Sequence, residues 1–261
     1  LEVVKMTFVH LLAHCELVEK SSEYRLPLCL VFVDYEKAFD SVEHHSIIKA
    51  LEEHHVHSTY VKTLANLYNN CISHIKINGN NSREFQIKRG VRQGDTLSPK
   101  AFNAGLEQVF RALHWDDKGI KVNGEMFSHL RFADDRVLIS HTVSELQEML
   151  VELQAESRKL GLKINMRKTK VMLNNIAQEN DSPPHLNIAG DKIEVTDKYV
   201  YLGQQMTMSG DRTGEISRRV SAGWAAFAKY RNLIRSTIPT SLKRKIYQQC
   251  IEPVMTYECQ S

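Results

Sequence analysis

The chain has 261 residues, 42% of them hydrophobic, and a formal net charge of +3. That length admits one large domain or two small ones, and the apolar fraction supplies a core, which excludes wholesale disorder. No apolar run approaches the roughly 18–20 residues of a membrane span, Glu2, Lys5 and His10 interrupt any signal-peptide core, and the five cysteines form no CxxC pair; the expectation is an intracellular protein, nuclear or cytoplasmic, without structural zinc.

In chain order, residues 1–24 read as a helix carrying Val4, Phe8, Leu11, Leu12 and Leu17. The continuous run Leu28–Val33 predicts a strand buried on both faces, ending at Asp34. Helical periodicity resumes from His44 to Tyr68, and His54-His55-Val56-His57 fits an exposed helix end better than a metal site. Residues 72–77 and 84–87 predict a hairpin around Asn78-Gly79-Asn80-Asn81. Ser98 is the expected N-cap of a helix reaching His114, with Pro99 in its first turn. A second hairpin spans about 126–140, with Asp134-Asp135 at its tip. Thr142-Val143-Ser144-Glu145 has the pattern of a capping box, opening a helix that runs to Leu160 and stops at Gly161. Strands are expected near 162–165 and 170–174, a linker over Asn174–His185 with Pro183-Pro184, two or three short strands over 186–207, and helices at 212–235 and 240–251.

Two adjacent carboxylates are unfavourable unless a cation neutralises them. Asp34, at the end of a buried strand, stands where sheets place ligand-binding groups. If that strand runs beside the second hairpin, Asp34, Asp134 and Asp135 converge, and three carboxylates suffice for two Mg²⁺ ions roughly 3.5–4 Å apart. The alternatives are a polar turn at Asp134-Asp135 and a cap at Asp34. Between Asp211 and Tyr247 nine basic residues are opposed only by Asp211 and Glu215, a pattern shared by nucleic-acid contacts and by solvated helix faces.

The residues around these carboxylates carry a resemblance. Phe32-Val33-Asp34-Tyr35-Glu36-Lys37-Ala38-Phe39-Asp40, Arg89-Gly90-Val91-Arg92-Gln93-Gly94-Asp95-Thr96-Leu97-Ser98-Pro99, Phe132-Ala133-Asp134-Asp135, Gly161–Asn165 with Lys168-Thr169-Lys170, and Tyr201-Leu202-Gly203 follow in order. Together they resemble the motifs of reverse transcriptases of LINE-type (non-LTR) retrotransposons, the RTE-like clade above all, over about residues 16–257. The resemblance implies an α+β polymerase palm, a mainly antiparallel sheet backed by helices, over 1–207 with a remnant of the fingers, and the start of a helical thumb over 208–261. It implies an RNA-directed DNA polymerase joining a primer 3′-hydroxyl to a dNTP on an RNA template, with two Mg²⁺ or Mn²⁺ ions. Asp34, Asp134 and Asp135 would be the acidic triad, and the Tyr35 carbonyl a further metal ligand. Phe39 would crowd out a ribose 2′-hydroxyl. Arg92, Gln93, Gly94 and Lys168 would contact the nucleotide, with Lys170 competing for the last role. Tyr201, Leu202 and Gly203 would touch the DNA primer, and Arg218, Arg219, Arg231, Lys243, Arg244 and Lys245 the nucleic-acid backbone.

The chain departs from the family pattern at Arg136, where an aliphatic residue is usual, and at Ala101, Glu258 and Ser261. An inward Arg136 would compete with Mg²⁺ for the triad. The chain also starts just ahead of the first catalytic motif, so the fingers and endonuclease segments would belong to a longer parent chain. The competing expectation is a catalytically inactive, retroelement-derived fragment that binds nucleic acid. An RNA-templated RNA polymerase fits less well, because it would suit a glycine where Ala133 stands and has no use for Phe39.

Overall fold

The computed structural model describes residues 2–92, 94–132, 135–180, 186–188 and 190–256, with the backbone alone for 2–10, 180 and 188. The chain divides into two compact units, one of residues 29–171 and 183–194, the other of 1–28, 172–182 and 195–261.

In the larger unit, β1 (Cys29–Val33) is a run of large apolar residues, each at most 2% exposed, as a strand covered on both faces requires. β2 (His129–Phe132) and β3 (Asp135–Ser140) form the second hairpin, Phe132 opposite Asp135. β3 runs antiparallel to β1, Cys29 opposite Ser140 and Val33 opposite Arg136. With β4 (Lys170–Leu173) and β5 (Glu194–Val195) the sheet has the order β5-β4-β1-β3-β2. Helices pack against it. α5 (Val143–Lys159) turns Leu146, Met149, Leu150 and Leu153, all 0% exposed, toward the core. α4 (Ser98–Arg111) buries Phe102 and Leu106. Each such side chain contributes about 1.5–3 kcal/mol through burial. The α+β expectation is met.

Local chemistry explains where elements differ from the sequence reading. The helix expected over 44–68 is two, α2 (His44–Glu53) and α3 (Ser58–Asn69), broken where His55 takes φ 56° and His57 caps α3 by accepting the Thr59 N–H. At α4 the cap is not Ser98, which is buried in the first turn; Leu97 is the N-cap residue, and Asp95 Oδ1 accepts its N–H at 3.0 Å. In the first hairpin the turn narrows to Asn78-Gly79, and Asn80 and Asn81 pair with Ile77 and Lys76. Thr142 caps α5 as expected, its Oγ1 accepting the Glu145 N–H. The return arm of the capping box is different: Glu145 accepts from the Ser140 hydroxyl, which in turn accepts the Thr142 N–H. Residues 162–165 contribute a single bridge, Ile164 opposite Tyr35, instead of a strand.

In the smaller unit, α1 (Glu2–Glu23) matches the expected helix. Half of the expected linker is the helix Asn175–Asn180, because buried Asn174 is fully engaged: Oδ1 accepts the N–H groups of Ala177 and Leu28, and Nδ2 donates to the Leu26 carbonyl. Pro183-Pro184 lie outside the described residues. β6 (Lys198–Tyr201) and β7 (Gln204–Thr207) form a hairpin closed by Leu202 and Gly203, both at positive φ, as a type I′ turn demands. α6 (Thr213–Arg235) follows, and then the helix Thr240–Ile246, a π-turn at Tyr247–Ile251 and the helix Glu252–Thr256, longer than the expected 240–251. Among the described residues no helix is long and apolar enough to cross a membrane.

Candidate active site

The antiparallel register decides what the carboxylates do. Val33 lies opposite Arg136, so the next residue of the chain, Asp34, comes beside Asp135 at the end of the β2–β3 hairpin. Side chains alternate across a strand, which puts Asp135 on one face of β3 and Arg136 on the other. Asp34 and Asp135 are thus brought together; Ala133 and Asp134 lie outside the described residues.

Asp34 is anchored through its backbone. Its N–H donates to Thr169 Oγ1 at 3.3 Å, and its carbonyl accepts the Asn165 N–H at 2.7 Å. Thr169 is fully buried. Asn165 also organises the turn that follows: its Oδ1 accepts the N–H groups of Arg167 and Lys168, and its carbonyl accepts that of Thr169. This turn carries Lys168, whose Nζ lies 3.6 Å from Asp34 Oδ2. Lys170 pairs instead with Glu194, so of the two competing lysines only Lys168 reaches the acidic face. Thr169 and Asn165 had no role in the sequence reading. Their signal is the spacing Asn165-x-x-Lys168-Thr169, an asparagine two and three residues ahead of the N–H groups it takes up.

Arg136 is 4% exposed. Its guanidinium stands 5.6 Å from the Phe110 ring centroid, and its Nη1 donates to the Asp135 carbonyl at 2.7 Å. Arg131, opposite Arg136, lies over the same ring, and His129 stacks on it. Burial, reinforced by Arg131 and Arg136, holds the His129 imidazole down at about 4, so it is neutral near pH 7. Arg136 therefore belongs to the aromatic face of the sheet, opposite the face of Asp135.

Tyr35 is buried, and its hydroxyl meets Ser157 Oγ at 2.8 Å; burial pushes its phenol above the ordinary range. The bridge at Tyr35 uses the Asp34 carbonyl and the Glu36 N–H, leaving the Tyr35 carbonyl outside these two bonds. Phe39 is half-buried and stacked 4.5 Å from Phe102. Its carbonyl accepts the Val91 N–H, and the Val42 carbonyl accepts that of Gly90, which zips the second motif onto the first. A Cβ on Gly90 would meet the Asp40 carbonyl oxygen at 2.9 Å. Arg92 is exposed and donates to Cys71 Sγ. Gly94 is exposed at φ 85° with open space around it, so its backbone conformation, not close packing, requires glycine. Gln93 lies outside the described residues.

In the smaller unit Tyr201 is buried, and the Gly203 carbonyl accepts from Arg218. Arg218 and Arg219 both donate to Glu215, which also accepts the Gln205 N–H at 2.9 Å. Burial raises the Glu215 carboxyl, but the Arg218, Gln205 and Arg219 donors outweigh it and hold the group at about 2. Arg219 is 7% exposed. Glu215, an opposing charge in the sequence, thus gathers both guanidinium groups inside the unit. Arg231, Arg244 and Lys245 are exposed, and Lys243 is half-buried.

The donors at the β2–β3 tip fit a hard divalent ion, being carboxylate oxygens from two facing strands. Among the described residues no group of three metal-ligating side chains is assembled. An antiparallel sheet backed by helices, with acidic residues at the end of a central hairpin, defines a polymerase palm. Residues 5–206 match the family model described as reverse transcriptase (RNA-dependent DNA polymerase). The chain belongs to the reverse transcriptase family. It is 30% identical over 213 residues to a retrovirus-related Pol polyprotein from a type-1 retrotransposable element R2 of Bradysia coprophila, covering 77% of this chain and 24% of that one. It is 36% identical over 141 residues to the corresponding R2 polyprotein of Nasonia vitripennis, covering 54% and 14%. A transposon-derived protein of Caenorhabditis elegans is 33% identical over 138 residues, covering 53% and 50%. An apo telomerase from Candida tropicalis shares the fold, with a TM-score of 0.55 at 14% identity, over 97% of this chain and 45% of the other. The chain spans half or less of the length of each of these proteins.

Proposed function

We propose that this chain is the palm-centred reverse transcriptase domain of a non-LTR retrotransposon, extending a DNA primer with dNTPs on an RNA template. The observation that carries this reading is the register that aligns Asp34 with Asp135 at the hairpin tip, in a chain of the reverse transcriptase family. Asp34, Asp134, Asp135 and the Tyr35 carbonyl would hold two Mg²⁺ or Mn²⁺ ions. When bound, such ions neutralise the charge that develops on the attacking and leaving oxygens. The chain's own residues position the reaction. Thr169 and Asn165 fix the backbone of Asp34, and Arg136 grips the Asp135 carbonyl from behind. Phe39, braced by Phe102, presents a rigid ring suited to excluding a 2′-hydroxyl by shape. Arg92, Gln93 and Gly94 are the nucleotide-side residues, and the Tyr201-Leu202-Gly203 turn is the primer contact. The backbone-contact role falls to Arg218, Arg219, Arg231, Lys243, Arg244 and Lys245. Residues 1–207 would be palm with a remnant of the fingers, and 208–261 the start of the thumb. The greater length of the matched polyproteins supports a parent chain with fingers and endonuclease segments. The form of the motifs favours the RTE-like clade, whereas the matched polyproteins are of R2 elements.

Arg136, in place of the usual aliphatic residue, favours the second reading, an inactive fragment that binds nucleic acid. Its burial on the aromatic face, opposite the face of Asp135, argues against competition with a metal there. Primer extension on an RNA template with dNTPs and Mg²⁺ separates the two. Asp34→Asn and Asp134→Asn are each expected to lower extension by about a hundredfold or more while RNA binding is kept. No extension by the parent chain, with binding intact, would leave the second reading standing.

A further inference from the structure

Lys168 is mounted on Asp34 by more than its own charge. The Asp34 carbonyl holds the Asn165 N–H, the Asn165 side chain holds the Lys168 N–H, and Thr169, one residue on, takes the N–H of Asp34. Two bonds thus tie the lysine's turn to the carboxylate's own backbone, a third closes the turn itself, and the ammonium ends 3.6 Å from Asp34 Oδ2. The neighbouring lysine, Lys170, is committed to Glu194. The lysine side chain is 69% exposed and that of Asp34 27% exposed. An ion pair whose cation is open to solvent in this way is weak and can be broken by a stronger cation.

We propose that Lys168 is the resident counter-cation of Asp34, which a divalent ion must displace before the carboxylate can act as its ligand. The proposal rests on the polymerase reading, because it takes Asp34 to be a metal ligand. A carboxylate brought beside Asp135 repels it at close range, and the ammonium relieves that repulsion while the site awaits its ion. The same ammonium then opposes the ion's entry. A nucleoside triphosphate arriving with its divalent ion resolves the conflict, since it brings both the cation that replaces Lys168 on Asp34 and the phosphate oxygens that receive the released ammonium. Lys168 therefore makes the site selective for ion and nucleotide together over the ion alone.

The test is Mn²⁺ binding to the intact chain, read from the loss of the free-ion electron paramagnetic resonance signal, without nucleotide or nucleic acid. Lys168→Gln is expected to tighten Mn²⁺ binding by about threefold to tenfold, and less as salt screens the pair. Lys168→Arg, which keeps the charge, is expected to stay within about twofold of the parent, and so is Lys170→Gln. Asp34→Asn is expected to weaken binding, and adding Lys168→Gln to it should then restore little. If Lys168→Gln binds Mn²⁺ as the parent does while Asp34→Asn loses it, the counter-cation role is wrong and the metal-ligand reading stands. If Asp34→Asn leaves binding unchanged, Asp34 is no ligand and both fail. Far-UV circular dichroism of each variant separates loss of the ligand from loss of the fold.

Discussion

Glu215 shows how far a single carboxylate governs its surroundings. It accepts from two arginines and a backbone N–H, while itself 5% exposed. Glu215→Gln removes the carboxylate that pairs with buried Arg219 and is expected to cost about 3–5 kcal/mol, read as a lower urea midpoint. Its carboxyl is held below its unfolded value, so its contribution is complete above about pH 4.5 and is lost as pH falls toward 2. His14 and His129 act in a higher window. Burial holds each at about 4 against an ordinary 6.5. A lowered histidine stabilises the fold fully above pH 6.5, and that stability drains as pH falls toward 4. Urea unfolding between these limits is expected to lose about 1.4 kcal/mol per pH unit for each histidine. His129→Phe, which keeps a ring against Phe110 and Trp115, should flatten that slope by one histidine's share.

The elements that were legible in the sequence are those whose signal is local. β1 announces itself by an unbroken apolar run, α5 by Thr142 and Gly161, and the β2–β3 hairpin by its two apolar arms. What was hidden depends on partners far along the chain. Asn174 reads as a loop residue, yet its amide bridges Leu26 and Leu28 and starts a helix. Arg218 and Arg219 are the exception: Glu215 stands three and four residues before them, a helical ion-pair spacing present in the local sequence and passed over. The acidic pair was legible as chemistry, whereas the side on which Arg136 falls had to await the register. This division carries a prediction for the C-terminal helices. Replacing Lys243, Arg244 and Lys245 with alanine is expected to lower the slope of log affinity for RNA against log salt by about 2, at roughly 0.7–0.9 for each phosphate no longer neutralised. A slope unchanged in a salt titration would assign these residues to solvent.

At the scale of the whole molecule, neither unit is a continuous run of chain: the backbone passes between them after residues 28, 171, 182 and 194. Asp34 depends on the same long-range design, since the hydroxyl that takes its N–H is 135 residues away in the sequence. Closing so long a loop is entropically costly and slow compared with forming a hairpin or a helix. On the ribosome this separation becomes a matter of timing. A nascent chain halted before Asn165 has already emitted every carboxylate of the site, yet lacks the two residues that take the carbonyl and N–H of Asp34. The backbone of Asp34 is therefore anchored late, and termination between Asp135 and Asn165 yields the charges without these two anchors.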